Sequence, residues 1–568
     1  MSDSSPWVPV PQPWLVEQYQ KARDLQKSGA LHAAQREFEE ILAREPDHVG
    51  SLHMLGLICA QTGEAQKGVD LLCRTLELQP GNAQGYFTLG FAMCKLKQYA
   101  AGIECYDSAL ALQPTFTEAL CDKGSALIEI GRFMEALACF DQAIQLRADY
   151  ADAFIYRGNA LMKLHAAHQA IESFETGLKI NPAFASGHLN LGNALQSLGA
   201  YADAVACYDR VIALRPGDAM AFSNRSGALK HLHRFDEALQ SCDTAVALAP
   251  DFAFAHWNRS LLLLLMGDLH AGFAQYHRRW DTDTFQVIRR NFSQPMWLGQ
   301  ENLQGQTLLV HTEQGLGDTI QFARYAQVLA DRGARVVLEV EPTLFALFQT
   351  LPGVDTLLRQ RDTLPAFDLY CPLMSAPVGC GTTLATVPAG VPYLRASPDK
   401  VAVWQKRLGP KTGPRVGLVW SGSTTHQADH LRSLALSDLL NALPEGFSYV
   451  SLQKEIRPGD VDAVQASGMA HYGDDLPSMD DTAALCACMD LVIAVDTSVA
   501  HLAGALGLPV WILLPHMPDW RWLLERSDSP WYPSARLYRQ ARAGDWSAPL
   551  AQVRADLLAG RFGPSLAG

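Results

Sequence analysis

DLVIAVDTSVAHLAGALGLPVWILL, Asp490 to Leu514, reads as strand, sharp loop, helix and second strand. Val492, Ile493 and Val495 form a short apolar, β-branched run of the kind buried in a parallel sheet. Asp496 and Thr497 break that run and can cap the helix that follows. Val499 to Leu506 is rich in Ala and Leu. Gly507 and Pro509 end that helix before the apolar run Pro509–Leu514 returns as a strand. Ligands of open α/β sheets bind beyond the carboxyl ends of the strands, and Asp496, Thr497, Ser498 and His501 lie at such an end. The helix start there offers free N–H groups and the positive end of a dipole, which suits a phosphate. His501, one turn into the helix, either faces that phosphate or donates to a neighbour.

Outward from this stretch the pattern repeats. PRVGLVW (Pro414–Trp420) reads as a strand that ends on SGSTTHQADHLRS, where Ser421, Gly422, Ser423 and Thr424 can donate hydrogen bonds to phosphate oxygens and Arg432 adds a forked charge. The plain alternative is an exposed polar loop. FSYVSLQ (Phe447–Gln453) runs into SLQKE, placing Gln453 and Lys454 to meet a base, a ribose or a phosphate. Further upstream, TLLVH (Thr307–His311), RVVLEV (Arg335–Val340) and DLYCPL (Asp368–Leu373) are also expected strands. The loop after the first of these, Gln314-Gly315-Leu316-Gly317-Asp318, enters a helix. Gly315 and Gly317 let a backbone approach a ligand closely, although the loop is neither the dinucleotide fingerprint nor a phosphate loop. Asp318 either caps the helix or stands in the cleft as a carboxylate able to take a proton from an acceptor. Strands alternating with helices imply parallel sheets covered on both faces. Pro518–Ser534 is crowded with Trp520, Trp522, Trp531 and Tyr532, which either stack on a ligand or, more in keeping with their size, pack a core.

The first half has a different period. Pro46, Pro80, Pro114, Pro182, Pro216 and Pro250 lie on one 34-residue grid. Gly29, Gly63, Gly131, Gly199 and Gly267 lie on a second, with Lys97, His165 and His233 in register. A third grid holds only Ala or Gly, from Ala34 to Gly272, and a fourth is mostly large, from Phe38 to Tyr276. These registers resemble the tetratricopeptide repeat, a helical hairpin of this length. Seven units run from about Leu15 to Asp251, with an atypical eighth to about Asp283. Such an array presents a groove lined by the first helix of each hairpin. Asn190, Asn224 and Asn258 recur there and either bond an extended peptide backbone or serve as a solvated face or a link between repeats. The earlier positions, Gln20, Met54, Thr88, Asp122 and Tyr156, do not continue the series.

Composition narrows the classes. A net charge of −13 opposes a general nucleic-acid binder, which needs a basic footprint. No run approaches the 18 apolar residues of a membrane span, and MSDSSPWVPVPQPW reads as a Pro-rich tether rather than a secretory signal. Twelve cysteines, mostly in apolar helical contexts, read as reduced thiols in a cytoplasm. No metal set stands out: Cys486 and Cys488 are one residue apart, Asp281 and Asp283 close the repeat array, and the histidines show no ligand spacing.

From about Thr307 to Leu558 the chain resembles the ADP-heptose:lipopolysaccharide heptosyltransferase family, of GT-B fold, most closely in DTSVAHLAGALGLPV and GLGDTIQFARY. The whole chain is similar to bacterial tetratricopeptide-repeat glycosyltransferases, and its architecture to the protein O-linked N-acetylglucosaminyltransferase. The resemblance implies an inverting, metal-independent transferase with a nucleotide-diphosphate sugar as substrate and no cofactor. Asp318 would be the base. Ser421, Gly422 and Ser423 would hold the nucleotide diphosphate, and Asp496, Thr497, Ser498 and His501 the diphosphate and sugar. Where that family commonly places a lysine, this chain has Arg432. The acceptor expected is a protein recruited by the repeats. A cell-envelope glycan, or a non-catalytic repeat scaffold with a nucleotide-binding α/β half, are the competing readings. The expected architecture is a tether (1–14), an all-α repeat superhelix (15–286) and a linker (287–306). Two Rossmann-like lobes (307–397 and 398–545) and a closing helix and tail (546–568) complete it.

Overall fold

The computed structural model describes residues 13–424 and 429–563. Residues 1–12 of the expected tether, 425–428 of the Ser421 loop and 564–568 lie outside the described residues. The chain forms two compact units, residues up to Ala228 and Leu229–Gly568, which divide inside the seventh hairpin.

Sixteen α-helices run from Pro13 to Tyr276 among the described residues, paired as the 34-residue period requires. Every turn position on the glycine grid is left-handed, with φ between 58° at His233 and 94° at Gly63 and Gly267. Lys97 and His165 accept that conformation too, at 59°, so the turn geometry is imposed by the helix packing and glycine only makes it cheaper. The small-residue grid is buried (Ala34, Ala136, Ala170, Ala204 and Ala238 are fully so), and Phe38, Phe140, Phe174 and Tyr208 fill the space beside it. A further register escaped the sequence reading. Gly90, Gly124 and Gly192, on the first helix of their hairpins, lie against Tyr106, Phe140 and Tyr208; a Cβ on Gly124 would sit 2.6 Å from the Phe140 ring. Glycine on one helix and a ring on the other make a single fitted pair.

The second unit contains two parallel sheets. The first consists of β1 (Thr307–His311), β2 (Arg335–Val340), β3 (Thr356–Arg359) and β4 (Leu369–Pro372), in the order β3-β2-β1-β4. The second consists of β5 (Arg415–Val419), β6 (Ser448–Ser451), β7 (Ala470–His471), β8 (Leu491–Val495), β9 (Val510–Leu514) and β10 (Ala535–Arg539), in the order β10-β9-β8-β5-β6-β7. Counted within the second sheet this is the 3-2-1-4-5-6 order of doubly wound folds. The strands read from the sequence appear to within a residue or so. Those missed are β3, exposed at both ends, the two-residue β7, and β10, whose Arg536 and Arg539 interrupt the apolar run.

Both faces of the second sheet are covered. Val416, Leu418, Leu491 and Ile493 face one core, and Val492, Ala494, Val510 and Ile512 face another. On the first sheet, Leu309, Val337 and Tyr370 are covered by Phe292 and Met296 of the segment read as a linker. The last hairpin enters the core of the second unit: Leu264, Leu265, Leu269, Phe273 and Tyr276 pack with Trp297, Phe322, Trp520 and Trp531. Phe273 meets Trp520 edge-on at 5.6 Å and Phe322 at 6.1 Å. The aromatics of Pro518–Ser534 are therefore packing groups; Trp522, Trp531 and Tyr532 are fully buried. Among the described residues no helix is long and apolar enough to cross a membrane.

Candidate functional site

In the second sheet the order reverses between β5 and β8, the kind of switch point beyond whose carboxyl strand ends open α/β sheets bind ligands. β5 runs into Ser421 and Gly422, and β8 into Asp496 and Thr497. β6, on the other side of β5, runs into Gln453. Each of these three neighbouring strand ends presents a buried oxygen without a hydrogen-bond partner: Ser421 Oγ, Gln453 Oε1 and Thr497 Oγ1. All three follow adjacent strands of the sheet, on either side of the switch point.

The surrounding groups are held firmly. Gln453 Nε2 donates to Ser421 O at 2.9 Å, tying the ends of β5 and β6. Arg432 donates from Nη1 to Asp496 O at 2.7 Å, tying β5 to β8, and its Nε lies 3.4 Å from Asp429 Oδ1. Gly422 passes so close to this pair that a Cβ would lie 2.5 Å from Asp429 Oδ1 and 2.6 Å from Arg432 Nη2. Arg457, which the sequence reading passed over, bonds Asp429, Gly422 O at 3.0 Å and Ser433 Oγ at 3.2 Å. Ser423, Thr424 and Lys454 are exposed at the rim.

Thr497 precedes the helix Ser498–Ala505, whose first N–H groups have no acceptor within the helix. His501 bonds Tyr532 OH at 3.0 Å through Nδ1, stacks on Trp522 at 5.2 Å, and keeps Nε2 3.9 Å from Asp496 Oδ1. Burial, aided by the charges of Arg521, Arg324 and Arg432, holds its imidazole neutral, well below the usual histidine range. It is an uncharged wall of the crevice. Burial pushes the Asp496 carboxyl up to about 6, reinforced by Asp519 and opposed by Arg432.

The Gly315–Asp318 loop faces this helix. A Cβ on Gly317 would lie 3.0 Å from His501 Cδ2 and 3.5 Å from Ser498 Cα. Asp318 does cap its own helix, with Oδ2 accepting from Gly315 N–H at 3.0 Å. Its other oxygen, Oδ1, accepts from Arg521 Nη2. Arg521 also donates to Asp519 Oδ1 at 2.7 Å and lies 4.3 Å above the Trp520 ring. Burial works against its charge, but Asp318 and Asp519 outweigh that and hold the guanidinium firmly protonated. Arg521 sits in the aromatic stretch PDWRW, where the tryptophans masked its role.

The switch point of the first sheet, between β1 and β4, is filled by the end of the repeat array. Arg279 Nη2 donates to Glu313 Oε1 at 2.6 Å and to Ser375 Oγ at 3.0 Å. His277 Nδ1 lies 3.0 Å from the same Ser375 Oγ, and Tyr276 OH exchanges hydrogen bonds with Gln314. Arg279 and Glu313 are an almost fully buried ion pair. Burial pushes the Glu313 carboxyl up to about 7 although Arg279 opposes the shift. Neither residue was legible as a site: Arg279 lies at the tail of the array and Glu313 just before the glycines.

The asparagine series lies elsewhere. Asn190 Nδ2 donates to Asn159 Oδ1 at 2.8 Å and Asn224 Nδ2 to Asn193 Oδ1 at 2.9 Å, so these two link neighbouring repeats. Asn258 also has a partner.

Family models match the helical half. The family description "Tetratricopeptide repeat" matches residues 19–83 and 189–253, and "TPR repeat" matches residues 124–164. Protein FlbA of Caulobacter vibrioides is 28% identical over 327 residues, covering 52% of this chain and 53% of FlbA. The chain thus spans about half the length of this curated relative. Among solved structures, YrrB, titled as a TPR protein with an unusual peptide-binding site, is 21% identical. It covers 33% of this chain and 96% of its own, with a TM-score of 0.28. Pseudomonas aeruginosa PilF is 23% identical, covering 38% and 96%, with a TM-score of 0.34. The N-terminal half is an all-helical array of tetratricopeptide repeats, and it leads into a region built on parallel sheets.

Proposed function

We propose that Leu229–Gly568 is a glycosyltransferase unit of GT-B type, which moves a sugar from a nucleotide-diphosphate donor to a protein acceptor recruited by the repeats. The observation that carries this reading is the row of buried, unpartnered oxygens on Ser421, Gln453 and Thr497 beside the helix start at Ser498. Hydroxyl hydrogens of Ser421 and Thr497, together with helix N–H groups, can donate to a diphosphate. Gln453 Oε1 can accept from a base or ribose. Facing them, Asp318 takes the proton of an acceptor hydroxyl or amine as that atom attacks the anomeric carbon. The bond from that carbon to the diphosphate oxygen breaks, and the electron pair leaves with the nucleoside diphosphate. Attack from the side opposite the leaving group inverts the centre.

A panel of nucleoside diphosphates and nucleotide sugars in a thermal-shift assay tests the reading. The matching ligand at 100 times its Kd should stabilise the protein by about 2.7 kcal/mol. Asp318→Asn should bind the ligand at least as tightly and lower sugar transfer by about 10²–10⁴-fold. No response to any nucleotide would remove the site assignment, and undiminished turnover would remove the base. One observation favours a second reading, a repeat scaffold that binds a nucleotide without catalysis: both oxygens of Asp318 are already engaged.

A further inference from the structure

The geometry points to Arg521 as an exchangeable partner of Asp318. It pairs with Asp318 and passes to the donor's diphosphate when that anion enters, leaving Asp318 Oδ1 to receive the acceptor proton. The inference rests on the nucleotide-sugar reading and adds to it a residue and a sequence of events. A carboxylate whose second oxygen is released by the entering donor is a base kept in reserve.

Three features lead there. Asp318 is fixed at Oδ2 by the backbone N–H of Gly315, which is part of its own helix start and stays. The Arg521 contact at Oδ1 bridges 203 residues of sequence and involves a side chain alone, so it can exchange without rebuilding the fold. Second, Arg521 is not saturated. It is only 8% exposed, yet its Nε is buried without a partner while Nη1 and Nη2 hold two carboxylates. A diphosphate, with several oxygens, can satisfy the planar fork more completely than one Asp318 oxygen does. Third, the other arginines near the crevice are anchored to the protein. Arg432 holds Asp496 O, Arg457 holds Asp429 and Gly422 O, and Arg324 holds Pro388 O, Trp531 O and Tyr393 OH.

The travel required is short. Gly317, the residue before Asp318, already touches the first turn of the helix that would receive the diphosphate. Trp520 beneath the guanidinium gives it a flat surface on which to turn. Asp519 is not stranded, because its Oδ1 also accepts from the backbone N–H of Arg521 at 3.0 Å, which stays when the side chain turns. Donor binding and base activation become one event, so the acceptor meets an active base only when a donor is present.

The test is calorimetric titration of the full chain with ADP, GDP, UDP, CDP and dTDP, without acceptor, for wild type, Asp318→Asn, Arg521→Ala, Arg521→Lys and the Asp318→Asn/Arg521→Ala double variant. Removing the competing carboxylate should tighten the matching diphosphate about three- to tenfold in Asp318→Asn. Arg521→Ala should weaken it about tenfold or more, and Arg521→Lys should fall between. In the double variant the gain from Asp318→Asn should vanish, since it acts through Arg521. Equal or weaker binding by Asp318→Asn would overturn the exchange, and that arm decides even if Arg521→Ala fails to fold. A wild type that binds none of the five diphosphates would instead overturn the nucleotide-site reading on which the inference rests.

Discussion

Glu313 and Asp496 are carboxyls that burial holds protonated to unusually high pH, about 7 and about 6. A folded-state value raised above the unfolded one means the folded state binds its proton more tightly. The associated stability is complete below about pH 4.3, the ordinary glutamate value, and is lost as pH rises toward 7. Glu313→Gln removes that dependence at one site. The melting temperature of the variant relative to wild type should therefore rise between pH 4.5 and 7.5; a relative fall over the same range would refute the assignment. Gly422 poses a steric question instead. Gly422→Ala would drive a Cβ into Asp429 and Arg432, the groups that join the ends of β5 and β8. It should cost about 1–3 kcal/mol in a denaturant melt and weaken nucleotide binding with it.

At the scale of elements the repeat hairpin is a fitted pair, with glycine on the first helix and a ring on the second. Gly124→Ala places a methyl 2.6 Å from the Phe140 ring inside a close-packed hairpin. The expected cost is about 1–3 kcal/mol, read as a shift of the denaturation midpoint with an unchanged slope. Gly81→Ala, where a Cβ meets nothing within 4 Å, is the control and should change stability little. The asparagines Asn190 and Asn224 belong to the same scale, since their amides join one repeat to the one before it. The strand–helix–strand unit around Asp496 works differently: packing buries β8 and β9 completely, and the polar groups collect where packing stops.

For the whole molecule, the compact unit from Leu229 onward includes the last hairpin and the tail of the array. Leu264, Leu265, Phe273 and Tyr276 share a core with Trp520 and Trp531, and Arg279 hydrogen-bonds the buried Glu313. A chain started at residue 291 would expose that apolar surface and strand Glu313, and it should lose its cooperative melt and aggregate. One started near residue 216, with the seventh hairpin whole, should keep a cooperative transition in circular dichroism. Equal stability of the two would show that the last repeats are dispensable to the α/β unit.

Whatever depends on neighbours in sequence was decided by the sequence itself. The 34-residue registers set the hairpins and their turns, and the apolar runs set β1, β2, β5, β8 and β9, because helix and strand periodicities are local patterns of burial. Short or edge strands such as β7 and β3 carry too few buried residues to leave that mark. The glycine-to-ring register went unseen because its meaning lies across two helices. The candidate site divides in the same way. Asp318, Ser421, Gln453, Asp496 and Thr497 were legible as polar residues following apolar strands, and Gly315 as a small residue in the same kind of loop. Only the tertiary structure decided that Asp318 meets Arg521, that Arg279 meets Glu313 at the other switch point, and that His501 is held neutral. Those facts rest on contacts between distant segments and on desolvation, and a charge or a ring in a sequence carries no record of what will be folded against it.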